Sequence, residues 1–170
     1  VAPQYMVQTA EDLAVYRRGQ RMKAEVVSAE DVANEFGGGY LTGDTLHQFF
    51  VHMYREWVRP PEFVLLLGNG TYDERNVQAH GDQVLPTGWV GVAGALVSSD
   101  GALADADGDG LADFSVGRIP AVSAAEVADY ILKVKDFEAQ VRGEAVVVAD
   151  RPDAGGDFAG EAARVVELLG

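Results

Sequence analysis

The chain has 170 residues, 48% apolar and 24% charged, which is the balance of a folded globular protein and not of a disordered one. Its net charge of −14 repels phosphate backbones and argues against nucleic acid as a partner. No apolar run approaches the ~18 residues of a membrane-spanning helix, and the absence of cysteine excludes disulfides, thiolate metal sites and a cysteine nucleophile from these residues while leaving the compartment open.

Along the chain, strand and helix patterns alternate. Tyr5–Gln8 reads as a short first strand, and Thr9 as the cap of a helix running to Gly19. Lys23–Ser28 reads as a second strand, ending at a Ser28 cap before a short helix, Asp31–Phe36, stopped by Gly37-Gly38-Gly39. Leu46, Phe49, Phe50, Met53, Tyr54 and Trp57 then repeat at helical spacing and form one buried stripe, closed by Pro60-Pro61. Phe63–Leu67 is a continuous apolar strand, as expected where both faces of a parallel sheet are covered. From Thr71 to about Leu111 no pattern persists, apart from a short strand within Trp89–Val97. Phe114–Ile119 is the next strand, and a helix follows from Ser123. Ala145–Ala149 is another buried strand, Asp150–Gly156 a polar loop and Asp157–Leu169 a last helix.

Strands separated by amphipathic helices predict a three-layer α/β/α fold with a mostly parallel sheet, ligands gathering beyond the carboxyl ends of the strands. Those ends are Thr9, Ser28, Gly68-Asn69-Gly70 and Asp150–Asp157. No repeat or low-complexity linker interrupts the pattern, so residues 1–170 read as a single α/β domain. The chain opens without a signal peptide and stops inside an apolar-periodic stretch, so a fragment of a larger domain is expected.

The sharpest chemical signal is Asp105-Ala106-Asp107-Gly108-Asp109-Gly110-Leu111-Ala112-Asp113. Carboxylates at alternate positions, with glycines permitting a tight wrap, suit a hard cation that takes six to eight oxygens. The run matches the first nine positions of an EF-hand loop, but Val116 replaces the bidentate glutamate and no helix pattern precedes it. An EF-hand is therefore excluded and a calcium loop of another kind expected; the competing reading is a solvated acidic turn.

Gly68-Asn69-Gly70 lacks the third glycine of a dinucleotide fingerprint and any Walker lysine. His47 and His52 read as surface or boundary residues of their helix. His80 with Ser98 or Ser99 would need a nucleophile elbow that neither serine has. Asp157 reads from spacing as a helix N-cap in preference to a pocket acid.

Several segments, taken in order, resemble the gingipain family of cysteine peptidases. They are Tyr16-Arg17-Arg18-Gly19-Gln20-Arg21-Met22-Lys23 leading into Val26-Val27, then Glu30-Asp31-Val32, then the helix with Phe49, Phe50 and Tyr54. Phe63 to Asp73 follows, and the acidic loop running into Val116-Gly117-Arg118-Ile119-Pro120, with Phe137-Glu138 behind it, is the clearest. The resemblance implies a caspase-like fold and a secreted or cell-surface bacterial endopeptidase acting on peptides or proteins. A His–Cys pair would lie beyond this chain, making it the amino-terminal part of the catalytic domain, partnered by the remainder. It also implies a structural calcium ion held by Asn69, the carbonyls of Ala106 and Leu111, and the carboxylates of Asp109 and Asp113, with Asp105 and Asp107 as further ligands. Asn69 stands where the family has aspartate. Asp157 aligns with the acid that recognises a basic substrate side chain. The alternative of another class is a non-catalytic α/β binding or scaffold domain, either a secretion factor or a receiver-like module. The receiver form is disfavoured by the missing acid pocket after the first strand and by the absence of a lysine after Lys135.

Overall fold

The computed structural model describes residues 1–73, 77, 84–140 and 146–169. It divides into two compact units, Val1–Lys135 and Asp136–Gly170.

The first unit is built on strands β1 (Phe63–Leu67) and β4 (Ser115–Ile119), which pair in parallel from Phe63↔Ser115 to Leu67↔Ile119. Val1 and Ala2 extend this pair. Val1 N donates to Leu65 O at 2.7 Å and Leu67 N donates to Val1 O at 3.0 Å, a parallel ladder. On the other side Ala2 N donates to Val27 O at 3.0 Å and Ala29 N to Ala2 O at 2.8 Å, so Ala2 and Ser28 form a parallel bridge. The strand expected at Lys23–Ser28 shrinks to this bridge because its neighbour offers only two residues to pair with.

The strand expected at Tyr5–Gln8 is not formed. Gln4–Met6 is a turn of 3-10 helix that continues into helix α1 (Val7–Gly19), and Thr9 lies inside the helix instead of capping it. A run of three apolar residues fits either period. Here burial of Met6, Ala10 and Ala14, four residues apart, selects the helix.

Helix α2 (Ala29–Gly37) starts at Ser28, whose hydroxyl accepts from Asp31 N at 3.3 Å, and ends at Gly38 in the left-handed conformation, φ 59°. Helix α3 (Gly43–Glu56) starts at Thr42, which accepts from Thr45 N at 3.1 Å. A Cβ on Gly37 would stand 2.8 Å from the Thr45 side chain, so this glycine lets α2 and α3 approach closely.

Alternation along β1 produces the layers. Val64 and Leu66 pack with Val32, Leu46, Phe49, Phe50 and Met53 of α2 and α3. Leu65 and Leu67 face the other way, with Ile119, Met6, Ala10, and Val127 and Ile131 of helix α4 (Ala124–Glu138). Helices thus cover both faces of a parallel sheet, the three-layer α/β/α arrangement expected.

Between β1 and β4 the chain forms a hairpin, β2 (Trp89–Val92) and β3 (Ala95–Ser98), where the sequence suggested one strand. Its turn residues, Ala93 and Gly94, both have positive φ, 48° and 83°. A two-residue turn of that hand matches the twist of the strands.

The second unit contains helix α5 (Phe158–Leu169), close to the expected span. The strand expected at Ala145–Ala149 is not seen. Ala145 lies outside the described residues, and residues 146–149 have no ladder partner among those described, with Val146 and Val148 exposed.

Candidate metal loop and the pocket beyond the strands

The acidic loop folds on its own aspartates. Asp105 accepts from Gly108 N at 2.9 Å through Oδ1 and from Gly110 N at 3.0 Å through Oδ2. Asp107 Oδ1 accepts from Asp109 N at 3.1 Å, and Asp109 Oδ1 from Leu111 N at 2.8 Å. Gly108 and Gly110, at φ 84° and 89°, supply the backbone conformation this wrapping requires. The result brings carboxylate oxygens of Asp105, Asp107 and Asp109 within 4.8 Å of one another. Oxygens around one calcium ion stand ~2.3–2.6 Å from it, so at most about 5 Å apart. The donor set, three carboxylates and no nitrogen, suits that ion.

Asp113 has a different place. Its Oδ2 accepts from Ala106 N at 2.9 Å and Asp107 N at 3.2 Å, so it closes the loop at its base and stands outside the three-carboxylate cluster. The Tyr54 phenol, hydrogen-bonded to Asp113, is raised above its ordinary pKa of 10.0. The largest cause is that bond, followed by the Asp113 charge, desolvation, and the charges of Asp107 and Asp109. The backbone amides of Ala106 and Leu111 are likewise engaged within the loop, by Asp113 and Asp109.

Asn69, expected with these residues, is not brought to them. Asp113 lies two residues before the start of β4 and Asn69 two residues after the end of β1, at opposite ends of one parallel pair. Four rises of strand, about 13 Å, separate those ends. Asn69 instead lines a cavity of about 470 Å³ beyond the carboxyl ends, with Tyr72, Thr87, Trp89, Asp100 and Arg118.

Arg118 organises that cavity. Nε and Nη2 donate to the two oxygens of Asp100, each at 2.7 Å. Nη1 donates to Gly68 O at 2.7 Å and Leu85 O at 3.0 Å, and Nη2 to Pro86 O at 2.8 Å. All five guanidinium N–H groups are used. Thr87 adds a hydroxyl donor to Asp100 Oδ1 at 2.9 Å. Burial pushes the Asp100 carboxyl up, but the Arg118 hydrogen bonds and charge, with Thr87, outweigh it and hold the group below its ordinary 3.8. The loop is tight where Arg118 grips it: a Cβ on Gly68, at φ 140°, would stand 2.5 Å from Val84 Cγ1. Asn69 Oδ1 is buried there without a hydrogen-bond partner among the described residues. Sequence reasoning quoted Arg118 only within a motif; its partners come from segments 18 to 50 residues away, which no local pattern reveals.

The other candidates are dispersed. Asp157 Oδ1 accepts from Gly160 N at 3.0 Å, so it caps α5, and any Cβ at residue 160 would collide with its carboxylate. His47 Nδ1 lies 3.2 Å from Leu103 O, and exposed His52 stacks on Phe36 with centroids 5.4 Å apart. Ser99 Oγ accepts from Ala102 N at 3.2 Å, and His80 lies outside the described residues.

Comparison with known proteins places this architecture. No curated protein matches the chain. Two solved structures from Porphyromonas gingivalis do. Dimeric latent PorU superposes with a TM-score of 0.67 at 26% identity, over 80% of this chain and 15% of that one. The complex of RgpB pro- and mature domains superposes with a TM-score of 0.68 at 16% identity, over 99% of this chain and 38% of that one, a likeness of fold. The chain therefore spans well under half the length of either structure. Its sequence matches peptidase family C25 over residues 1–168, and the chain belongs to that family, the gingipains and their relatives.

Proposed function

We propose that this chain forms the amino-terminal part of a gingipain-like cysteine endopeptidase domain acting on peptide or protein substrates, secreted or displayed at the cell surface. The observation that carries the reading is the C25 match across residues 1–168, laid on an α/β/α sheet whose carboxyl ends bear a polar pocket. With no cysteine among 170 residues, the thiolate and its histidine are supplied by the remainder of the peptidase domain, which is the partner of this chain. The thiolate would attack the scissile carbonyl while the histidine manages the proton. Asp157 suits recognition of a basic side chain: one carboxylate oxygen caps α5 and the other is left for a cation.

Calcium is the proposed structural cofactor, held by Asp105, Asp107 and Asp109, with Asp113 shaping the loop around it. The ion would neutralise three carboxylates that otherwise repel one another. Asn69, at the other end of the strands, is not proposed as one of its ligands.

Two measurements test these readings. The 170-residue chain alone is expected to hydrolyse no fluorogenic peptide, while the same chain joined to the downstream part of its parent gives thiol-dependent cleavage. In that longer protein Asp157→Asn, which preserves the cap, should raise KM for basic substrates selectively. Thiol-independent hydrolysis by the short chain, or no cleavage by the long one, would defeat the peptidase reading. Calorimetric titration of the chelator-treated chain should show calcium binding that raises Tm and disappears in Asp107→Asn/Asp109→Asn. An unchanged Tm at millimolar calcium would reduce the loop to an acidic turn.

A further inference from the structure

The cavity at the carboxyl ends of β1 and β4 holds chemistry that neither the metal loop nor the missing His–Cys pair uses. Its charges are balanced internally: Asp100 and Arg118 pair at 2.7 Å, with side chains 24% and 12% exposed. Every N–H of Arg118 is engaged, so an anion would find no donor on it. A cation would leave water for a site without net charge, an unfavourable exchange. Asn69 Oδ1, by contrast, is buried and unmatched, although the backbone of the same residue is fully used, donating to Ala121 O and accepting from Val84 and Leu85. A buried acceptor without a donor is an unfavourable state that a ligand can relieve. Beside it Trp89 and exposed Tyr72 offer flat apolar faces.

We infer that this cavity is a binding site for a neutral peptide amide, whose N–H donates to Asn69 while the neighbouring apolar side chain lies against Trp89 and Tyr72. An amide is matched to an amide: it carries one donor and one acceptor in a plane and brings no charge into a balanced site. The protein's −14 charge further disfavours acidic peptides. This inference is independent of the peptidase reading, since it concerns only groups within residues 69–120.

The test uses the isotopically labelled 170-residue chain and N-acetyl-leucine methylamide as probe, followed by the Asn69 side-chain and Trp89 indole N–H resonances. Both are expected to move and saturate in the millimolar range. The doubly N-methylated probe, which lacks N–H donors, should bind about tenfold more weakly or worse, corresponding to one lost hydrogen bond. Asn69→Leu should weaken the parent probe similarly and raise Tm, because it removes the unmatched acceptor. Trp89→Ala, which leaves Asn69 in place, should weaken binding without raising Tm. The inference is overturned if the resonances stay still at tens of millimolar probe, if the methylated probe or Asn69→Leu binds equally well, or if calcium chloride moves the Asn69 resonance in place of the probe.

Discussion

Arg118 meets three backbone carbonyls and one carboxylate with a rigid fork, and lysine cannot reproduce that set of donors. Arg118→Lys should cost about 1–3 kcal/mol in urea unfolding, since buried acceptors lose their partners. The partner acid gives a pH test. Asp100 titrates below its ordinary 3.8 in the folded protein, so the stability it contributes is complete above that value and is lost as pH falls through the folded one. The stability gap between the wild type and Asp100→Asn should therefore be constant above about pH 5 and close progressively below pH 4. At Ala93 a non-glycine residue sits at φ 48°. Asn tolerates that region better, and Ala93→Asn should stabilise the chain by about 0.5–1 kcal/mol in the same assay. At this scale the sequence was only partly legible. Alternating aspartates and glycines announce a loop that wraps on itself, whereas the separation of Asn69 from Asp113 follows from strand register, which residue spacing does not carry.

At the scale of elements, the helices with capping residues and full apolar stripes were legible: Ser28 before α2, Thr42 before α3 and Asp157 before α5 act through one hydrogen bond each. Strands β1 and β4 were legible because burial on both faces leaves a continuous apolar run. The failures share a cause. Tyr5–Gln8 and Lys23–Ser28 are short apolar runs whose state depends on a distant partner, and the partner decided it: Val1 and Ala2 occupy the sheet position, leaving Met6 to begin a helix face. The hairpin was half visible because Ala93-Gly94 is not one of the dipeptides that announce such a turn. Elements also differ in how firmly they are held. Helix α3 buries Leu46, Phe49, Phe50 and Met53, whereas Phe158, Val165, Val166 and Leu168 of α5 are exposed. Hydrogen exchange should accordingly be slow through α3 and β1, near the global limit, and fast through α5. Equal protection in the two helices would contradict this assignment.

Across the whole molecule, acidic charge and two apolar layers around one parallel sheet give a platform with its chemistry at both ends of the strands: carboxylates before β4, an amide-lined cavity after β1. The guanidinium that roofs this cavity also has a kinetic consequence. Arg118 joins carbonyls 50, 33 and 32 residues away and a carboxylate 18 away. Closures that span such long stretches of chain are entropically delayed, so these bonds form late, after β4 has found β1. Contacts absent from the transition state govern the rate of leaving the native basin and not the rate of reaching it. Stopped-flow measurements on Arg118→Lys should then show nearly unchanged refolding and faster unfolding, with most of the lost stability on the unfolding limb. One side chain would thereby set the lifetime of the fold, the quantity that matters to a protein exposed to proteolysis.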